Sequence, residues 1–234
     1  METCPRLYLA VMRVRYRGTP NARRLVSPRT DIVIEGFPRC ANSFAVRAFR
    51  MDNDPEGEMR IATHFHSPAQ VSLGVQWGIP ALVLTRPPDD AVVSFPALAM
   101  QLDKHGFAAA TDDVLRRHVR YWTRRYIQFH RPLLPLRDRV VIADFAQTTS
   151  DFGAVVRRLN ARFGTAFTPF AHTEANAKAI YENSRIREHL YPSPVRNEMK
   201  ENFRVFFDGP ENNAERQRAF AAYRAILGAG ETVR

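Results

Sequence analysis

Residues 31–49 read DIVIEGFPRCANSFAVRAF, and this stretch decides the fold prediction for the chain. Its first six residues form an apolar, largely β-branched run that stops at Gly36. A short loop follows, and from Ser43 the apolar residues recur at helical spacing. A strand that is buried on both faces, a tight loop and a helix are typical of a parallel α/β unit.

Three further apolar runs have the character of buried strands. They cover residues 59–63, 80–85 and 139–143. Helical patterns lie between and after them, at residues 43–50, 69–77, 90–104 and 112–130, and an apolar stripe runs from Phe152 to Phe163 and stops before Gly164. This alternation predicts an α/β fold, with a mainly parallel central sheet that is flanked by helices.

The chain is strongly basic, with a formal net charge of +10 and an isoelectric point near 10.3. Such a charge fits a solvated basic surface, and it also fits a negatively charged partner: a phosphorylated cofactor, an anionic glycan, a membrane surface or nucleic acid. Charge alone does not choose among these partners. The only cysteines, Cys4 and Cys40, are far apart in sequence, which favours a reducing compartment.

The N-terminal residues contain an apolar stretch, residues 7–12, between Arg6 and Arg13. It is far shorter than the roughly 20 residues that cross a bilayer, and it lacks the pattern of a signal peptide. We expect a short amphipathic helix that rests on the domain, in preference to a membrane-surface anchor. A cytoplasmic protein is the corresponding expectation.

The loop after the first predicted strand has the features of an anion site. Successive backbone N–H groups and a helix N-terminus attract anions, Arg39 adds a permanent charge, and Ser43 adds a hydroxyl. An ordinary strand-to-helix turn with a capping serine is the alternative. The Gly-Lys-Ser/Thr ending of nucleoside-triphosphate loops is absent, which disfavours a kinase or an ATPase.

A second candidate anchor follows the third predicted strand, where residues 85–95 read TRPPDDAVVSF. Arg86 at the strand end and Ser94 in the following helix could converge on one anion, and an arginine fork suits phosphate. The same residues also fit a helix that begins with proline and carries acidic residues in its first turn.

Two histidines, His64 and His66, follow the second predicted strand within ATHFHSP, residues 62–68. Histidine titrates near neutral pH and is suited to act as a general base. A metal-binding pair is the alternative, but no third ligand is convincingly placed.

Taken together, these three segments resemble the sulfotransferases that use 3′-phosphoadenosine 5′-phosphosulfate (PAPS). The family loop Pro-Lys-Ser-Gly-Thr-Thr-Trp corresponds position by position to PRCANSF, residues 38–44. The family pattern Arg-x-Pro-x-Asp-x-x-x-Ser is matched by Arg86, Pro88, Asp90 and Ser94. The family segment Lys-Thr-His is matched by residues 62–64, except that Ala62 stands at the lysine.

The resemblance implies a three-layer fold like that of the P-loop nucleotide hydrolases, and it implies a role for each matched residue. The loop that holds the 5′-phosphosulfate is Pro38, Arg39, Cys40, Ala41, Asn42, Ser43 and Phe44. Arg39 takes the place of the lysine beside the sulfuryl group, and Asn42 and Ser43 bind the 5′-phosphate. His64 is the implied base, with His66 in reserve.

The 3′-phosphate site is implied to contain Arg86 and Ser94, and the basic residues Arg196 and Lys200 are candidates to close it. Asp144 lies in the segment that corresponds to the family's Glu-Asp-Leu, and we expect it to be a cap or a structural partner rather than a catalytic residue. Two departures affect the chemistry. Arg39 does not readily give up a proton, so it can stabilise charge but cannot act as an acid. Ala41 replaces a glycine, which narrows the allowed backbone angles.

We therefore predict one sulfotransferase domain over residues 1–234. It comprises an N-terminal helix and basic connector (1–30), a cofactor-binding core (31–164) and C-terminal helices with a lid (165–234). The expected reaction is direct transfer from PAPS to a hydroxyl or amine of a small-molecule or glycan acceptor, without a metal, nucleic acid or stable membrane insertion. The alternatives are a P-loop phosphotransferase that uses ATP, and a non-catalytic basic binder of nucleic acid or anionic membrane.

Overall fold

The computed structural model describes residues 4–102, 111–182 and 193–228. These residues include a sheet of four parallel strands in the order β2-β1-β3-β4. The strands are β1 (Ile32–Gly36), β2 (Ile61–Ala62), β3 (Ala81–Thr85) and β4 (Val141–Asp144). The α/β class and the parallel sheet are confirmed, and the arrangement is consistent with three layers.

The strands are buried because their sequences are almost entirely apolar, as sequence periodicity predicts for a parallel sheet. β1 is paired with β3 through Val33 and Ala81, and β3 with β4 through Leu82 and Val141. β2 is shorter than the predicted residues 59–63. Its ladder ends after Ala62 because the backbone N–H of Thr63 donates to the carbonyl of Arg24 outside the sheet.

Helices connect the strands and follow them. The α-helices are α1 (Pro5–Arg15), α2 (Asn42–Asn53), α3 (Pro68–Gln76), α4 (Pro88–Gln101), α5 (Asp112–His130), α6 (Phe145–Ser150), α7 (Phe152–Phe163), α8 (Glu174–Glu182), α9 (Pro194–Asp208) and α10 (Asn213–Leu227). Short 3₁₀ helices cover Pro20–Arg24, Arg131–Arg139 and Pro210–Asn212.

The predicted helices at 112–130 and 152–163 have the bounds that the sequence indicated. α7 ends where Gly164 takes the left-handed conformation, with φ of 66°. Asp144 is a helix cap as expected, because its carboxylate accepts a hydrogen bond from the backbone of Gln147. The helix predicted at 90–104 begins two residues earlier, at Pro88, and residues 103 and 104 lie outside the described residues.

The chain divides into two compact units. The sheet unit comprises Met1–Thr85 and Pro132–Arg185 and contains all four strands. The helical unit comprises Arg86–Arg131 and Ile186–Arg234, in which α4, α5, α9 and α10 pack against one another. The single sulfotransferase domain and its three segments stay predictions; residues 183–192 and 229–234 of the predicted lid lie outside the described residues.

Within the described ranges, no helix combines the length and the apolar character that crossing a bilayer requires.

Candidate functional site

The loop after β1 presents alternate residues to solvent. Arg39, Ala41 and Ser43 are half-buried, whereas the residues between and beside them, Pro38, Cys40, Asn42 and Phe44, are buried. The four buried residues form an inner row that packs inside the sheet unit. The three half-buried residues form an outer row that a ligand can reach. The outer row contains the guanidinium and the hydroxyl that an anion site requires.

The backbone of this loop is strained at two positions. Arg39 and Ala41 have φ of 70° and 64°, in the left-handed region that non-glycine residues rarely adopt. His64 and His66, in the loop after β2, have φ of 62° and 51°. Among the described residues, these four are the only non-glycine residues with positive φ. Strain of this kind clusters at binding and catalytic sites, where it fixes the direction of side chains.

Buried contacts hold the inner row in place. A Cβ on Gly36 would lie 2.5 Å from the carbonyl oxygen of Leu84 on β3, so the chain needs glycine where β1 enters the loop. The Asn42 amide nitrogen donates to the carbonyl oxygen of Phe37 over 2.9 Å and closes the loop. The Asn42 side chain thus stabilises the loop, and its contact with the 5′-phosphate stays a prediction.

Phe44 and Cys40 serve the core rather than the surface. Cys40 is fully buried, and the ring of Phe44 contacts the rings of Phe170, His172 and Tyr181 at centroid distances of 6.2, 5.7 and 5.9 Å. These side chains are therefore placed for packing, and only their backbone is left to take part in binding a cofactor.

His64 is bound on both ring nitrogens by hydroxyl groups. Its Nε2 lies 3.0 Å from Ser43 Oγ, and its Nδ1 lies 2.9 Å from Thr63 Oγ1. The predicted base and the predicted phosphate ligand Ser43 are thus in direct contact. If Thr63 accepts from Nδ1–H, Nε2 holds the lone pair that receives a proton, which is the arrangement a general base needs.

The electrostatic environment keeps His64 neutral. Burial, and then the nearby His66, Arg24 and Arg47, lower the pKa of His64 from 6.5 to about 3. A neutral imidazole can accept a proton at physiological pH, but with this low pKa it is a weak base and releases the proton readily. Negative charge brought next to the ring would raise the pKa and make the nitrogen a better base.

His66 has a fixed tautomer. Its Nδ1 lies 2.7 Å from the carbonyl oxygen of Gly36, and since a carbonyl only accepts, Nδ1 carries the hydrogen. Burial lowers the pKa of His66, the hydrogen bond to Gly36 opposes that shift, and the charge of Arg39 lowers the pKa further. Arg39 and His66 therefore influence the same part of the site, and the ring centroids of the two histidines are 6.0 Å apart.

Glu35 supports the loop after β2 that carries His64 and His66, which we call the histidine loop. The sequence did not predict this role. This residue on β1 has no solvent exposure, and its carboxylate accepts from the backbone N–H groups of Phe65 (2.9 Å) and His66 (3.1 Å). Gln70 donates to it over 3.1 Å. Burial raises the pKa of Glu35 to about 7, although the hydrogen bonds from Phe65, Gln70 and His66 lower it. The sequence signal for this role of Glu35 was one acidic residue within an otherwise apolar predicted strand.

The second predicted anchor lies in the helical unit. The guanidinium of Arg86 is paired with the carboxylate of Asp90, and Lys200 Nζ donates to the same carboxylate over 3.0 Å. Burial alone would raise the pKa of Asp90, but Arg86 and Lys200 hold it below its ordinary value. Two of the residues that the resemblance assigns to the 3′-phosphate are thus brought together by one carboxylate.

The remaining predicted anchor residues are also buried in this unit. Ser94 is 1% exposed on α4, in the second turn after Arg86. Arg196 is 4% exposed, and its Nε donates to Gln101 Oε1 over 2.8 Å. Burial lowers the pKa of Arg196. The backbone of Arg196 is capped by Ser193, which also accepts from Gln101.

No group of three or more His, Cys, Asp and Glu side chains within residues 4–102, 111–182 and 193–228 is arranged to hold a metal ion. No protein-family model matches the chain, and no curated protein matches it. The likeness to PAPS-dependent sulfotransferases rests on the sequence motifs.

Proposed function

We propose that this chain is a PAPS-dependent sulfotransferase with a P-loop-like arrangement of its sheet unit. The observation that carries the proposal is the clustering of backbone strain. All four described non-glycine residues with positive φ lie in the loops after β1 and β2, and they include Arg39 and His64. The order β2-β1-β3-β4 reverses between β1 and β3, and ligands of open α/β sheets bind outside the carboxyl ends of strands at such a point.

The outer row of the loop fits an anionic group by its chemistry. Arg39 offers a guanidinium fork, Ser43 offers a hydroxyl, and α2 begins directly after Ala41 with backbone N–H groups that have no partner within the helix. None of residues 37–44 is acidic. These donors would hold the 5′-phosphate and the sulfuryl group of PAPS, with Arg39 opposing the charge that develops on the departing phosphate oxygen.

PAPS, when bound, supplies an activated sulfuryl group. His64 takes the proton of the acceptor hydroxyl or amine at Nε2, as the new bond to sulfur forms and the bond from sulfur to the 5′-phosphate oxygen breaks. Ser43 Oγ lies 3.0 Å from this nitrogen, so either the acceptor displaces the serine hydroxyl or its proton passes to Nε2 through that hydroxyl. The negative charge of the phosphosulfate raises the pKa of His64 from about 3 at the moment when a stronger base is needed.

Arg86 and Lys200 supply the cationic groups for the 3′-phosphate, with Ser94 and Arg196 as further candidates. The single negative charge of Asp90 offsets one of the two positive charges of Arg86 and Lys200, and the carboxylate orients both side chains. A phosphate with two negative charges would compete with that carboxylate for both cations, and an ordinary nucleoside triphosphate has no 3′-phosphate to do so.

Ligand selectivity tests the proposal. In a thermal-shift titration, 3′-phosphoadenosine 5′-phosphate (PAP) should raise the melting temperature by about 5 °C at a concentration roughly 100 times its Kd. ATP with Mg²⁺ should raise it far less. A larger shift with ATP and Mg²⁺ would favour the phosphotransferase, and no shift with either nucleotide would favour a non-catalytic basic binder.

A pair of serine variants makes the titration specific to the loop. Ser43→Ala removes the hydroxyl beside His64 and should weaken PAP binding. Ser72→Ala is the matched control, because Ser72 is a half-buried serine on α3 whose hydroxyl donates to the carbonyl of Pro68. An equal loss of PAP affinity in both variants would contradict the assignment of the loop.

A further inference from the structure

Helix α1 is apolar on two opposite sides. Tyr8 and Leu9 are buried on the side that packs against α3. Leu7, Val11 and Val14 lie four and three residues apart and share the other side, where they are 52%, 38% and 79% exposed. We call these three residues the α1 ridge. An outward apolar ridge contributes nothing to the core, and contiguous exposed apolar surface marks a site of interaction.

Helix α1 and the segment that follows it are rich in arginine. Residues 5–30 contain seven arginines and no Asp or Glu; the arginines are Arg6, Arg13, Arg15, Arg17, Arg23, Arg24 and Arg29. On the helix itself, Arg6 and Arg13 lie on one flank of the ridge and Arg15 lies on the other, as 100° per residue requires. Apolar side chains that are flanked by arginine are typical of helices that lie in the interface of a membrane.

A cavity of about 270 Å³ lies beside this helix. Arg13, Arg23 and Arg60 line it together with Ala22, Leu25 and Ser27. None of the lining residues is acidic, and Arg13 belongs both to the cavity and to the flank of the α1 ridge. The volume is smaller than that of a pocket for a drug-sized ligand, and it suits a compact anionic group such as a phosphorylated headgroup.

We propose that the α1 ridge and the arginine-lined cavity form a docking surface for an anionic lipid membrane. The ridge enters the boundary between headgroups and acyl chains, while the flanking arginines and the cavity bind lipid phosphates. The protein lies on the membrane and does not cross it. This proposal is independent of the sulfotransferase chemistry, and it adds a second contact surface to a helix whose other side rests on α3.

The chemistry of the surface favours lipid over other occupants. Nucleic acid would be attracted by the arginines, but its backbone has no use for an outward apolar ridge. A second copy of this chain would bring seven arginines against seven arginines, and the like charges would repel. An anionic lipid surface complements both the ridge and the charge.

Two valines give a matched test on the full chain. Val14 on α1 and Val205 on α9 are 79% and 70% exposed, so Val14→Asp and Val205→Asp change the charge equally and leave the core intact. Co-sedimentation should be measured with vesicles of phosphatidylcholine alone and with about 30% phosphatidylserine. We expect wild type to bind only the anionic vesicles, Val14→Asp to lose at least about tenfold in partitioning, and Val205→Asp to match wild type within about twofold.

A second pair tests the cavity. Arg23→Ala/Arg60→Ala should reduce partitioning to the anionic vesicles by about tenfold or more. Arg162→Ala/Arg218→Ala removes the same charge from exposed helix positions elsewhere and should have a smaller effect. Far-UV circular dichroism establishes that each variant is folded.

Four outcomes overturn the proposal. Equal binding of Val14→Asp and Val205→Asp to anionic vesicles would mean that the protein binds them through its net charge and not through the α1 ridge. Tighter binding to duplex DNA than to anionic vesicles, lost in Val14→Asp, would assign the surface to nucleic acid. A dimer in sedimentation equilibrium that Val14→Asp dissociates would assign it to a second copy. Absence of binding to anionic vesicles would remove the membrane altogether.

Discussion

The two candidate phosphate anchors are held in place by different forces. In the sheet unit, the loops after β1 and β2 depend on four left-handed residues and on hydrogen bonds to the buried carboxylate of Glu35. In the helical unit, Arg86 and Lys200 lie at ordinary helical or helix-flanking positions and are fixed by the charge of Asp90. The first anchor is organised by backbone shape and the second by charge neutralisation.

This difference determines how each anchor responds to change. A strained loop with buried polar partners is sensitive to the loss of one acceptor, because several donors are then left without a partner away from water. A partly exposed charge cluster can exchange one anion for another, and solvent screens what remains. We therefore expect mutations to affect stability and catalysis most at the loops, and ligand selectivity most at the charge cluster.

The largest expected effect separates catalysis from binding at the loops. His64→Ala removes the proposed proton acceptor and should lower the rate of sulfuryl transfer from PAPS by about 100-fold or more. Its affinity for PAP should stay within about threefold of wild type, because the phosphate donors remain. PAP release with an acceptor that the wild type uses, together with calorimetric titration of PAP, measures both quantities.

His118→Ala is the control for this variant, since His118 is a half-buried histidine on α5 of the helical unit, outside both loops. It should keep the rate of wild type. His66→Ala tests the reserve assignment. Normal turnover in the double variant His64→Ala/His66→Ala would eliminate the histidine base.

The next largest effect concerns the carboxylate under the histidine loop. Glu35→Ala leaves the backbone N–H groups of Phe65 and His66 and the amide of Gln70 without their acceptor, which should lower the free energy of unfolding by about 3 kcal/mol. Glu201→Ala, which removes an exposed ion-pair partner on α9, should cost less than about 0.5 kcal/mol. Urea denaturation compares the two, and equal losses would show that Glu35 does not hold the loop.

A smaller effect follows from the titration of Glu35. Its folded pKa of about 7 lies above the ordinary value of 4.5, so its contribution to stability is complete below pH 4.5 and is lost as the pH rises through 7. His64 acts in the opposite sense. Its folded pKa of about 3 lies below 6.5, so its contribution is present above pH 6.5 and is lost as the pH falls toward 3.

Glu35→Gln isolates the acidic group from the histidines. The stability of wild type relative to this variant should increase by on the order of 2 kcal/mol between pH 8 and pH 5, because the variant cannot take up the proton. Urea denaturation at the two pH values measures the difference. A wild-type advantage that decreases on acidification would mean that Glu35 is ionised in the folded protein.

The smallest effect probes backbone strain directly. Ala41 has φ of 64°, which glycine adopts without cost, so Ala41→Gly should raise the free energy of unfolding by about 0.5–1 kcal/mol. Ala221→Gly, at an exposed position inside α10, should lower it by a similar amount. If both substitutions lower the free energy of unfolding, Ala41 is not strained.

The parts of the fold that follow from local pattern could be predicted. The apolar runs identified all four strands, and the stripe from Phe152 to Gly164 identified both ends of α7. The length of β2 could not be predicted, because it depends on a hydrogen bond from Thr63 to Arg24, which lies almost forty residues earlier. A local sequence pattern does not predict a hydrogen-bond partner that is so distant along the chain.

The site was predictable as a set of residue types but not as a set of contacts. Histidine, arginine and serine in the two loops were visible in the sequence. The contact of Ser43 with His64 joins residues that are 21 positions apart, and the support from Glu35 depends on which way a buried side chain points. The division of the loop into buried and half-buried rows likewise depends on the left-handed conformations of Arg39 and Ala41.

The proposed function requires this chain to recognise a nucleotide that carries a 3′-phosphate. Calorimetric titration should compare PAP with AMP, which lacks that phosphate, in wild type, Arg86→Ala and the control Arg50→Ala. Arg50 forms an i,i+4 ion pair with Asp54 in the sheet unit, as Arg86 does with Asp90 in the helical unit.

We predict that wild type and Arg50→Ala bind PAP at least about 30-fold more tightly than AMP, and that Arg86→Ala loses most of this preference. Equal affinity of the wild type for PAP and AMP would contradict the proposed 3′-phosphate site.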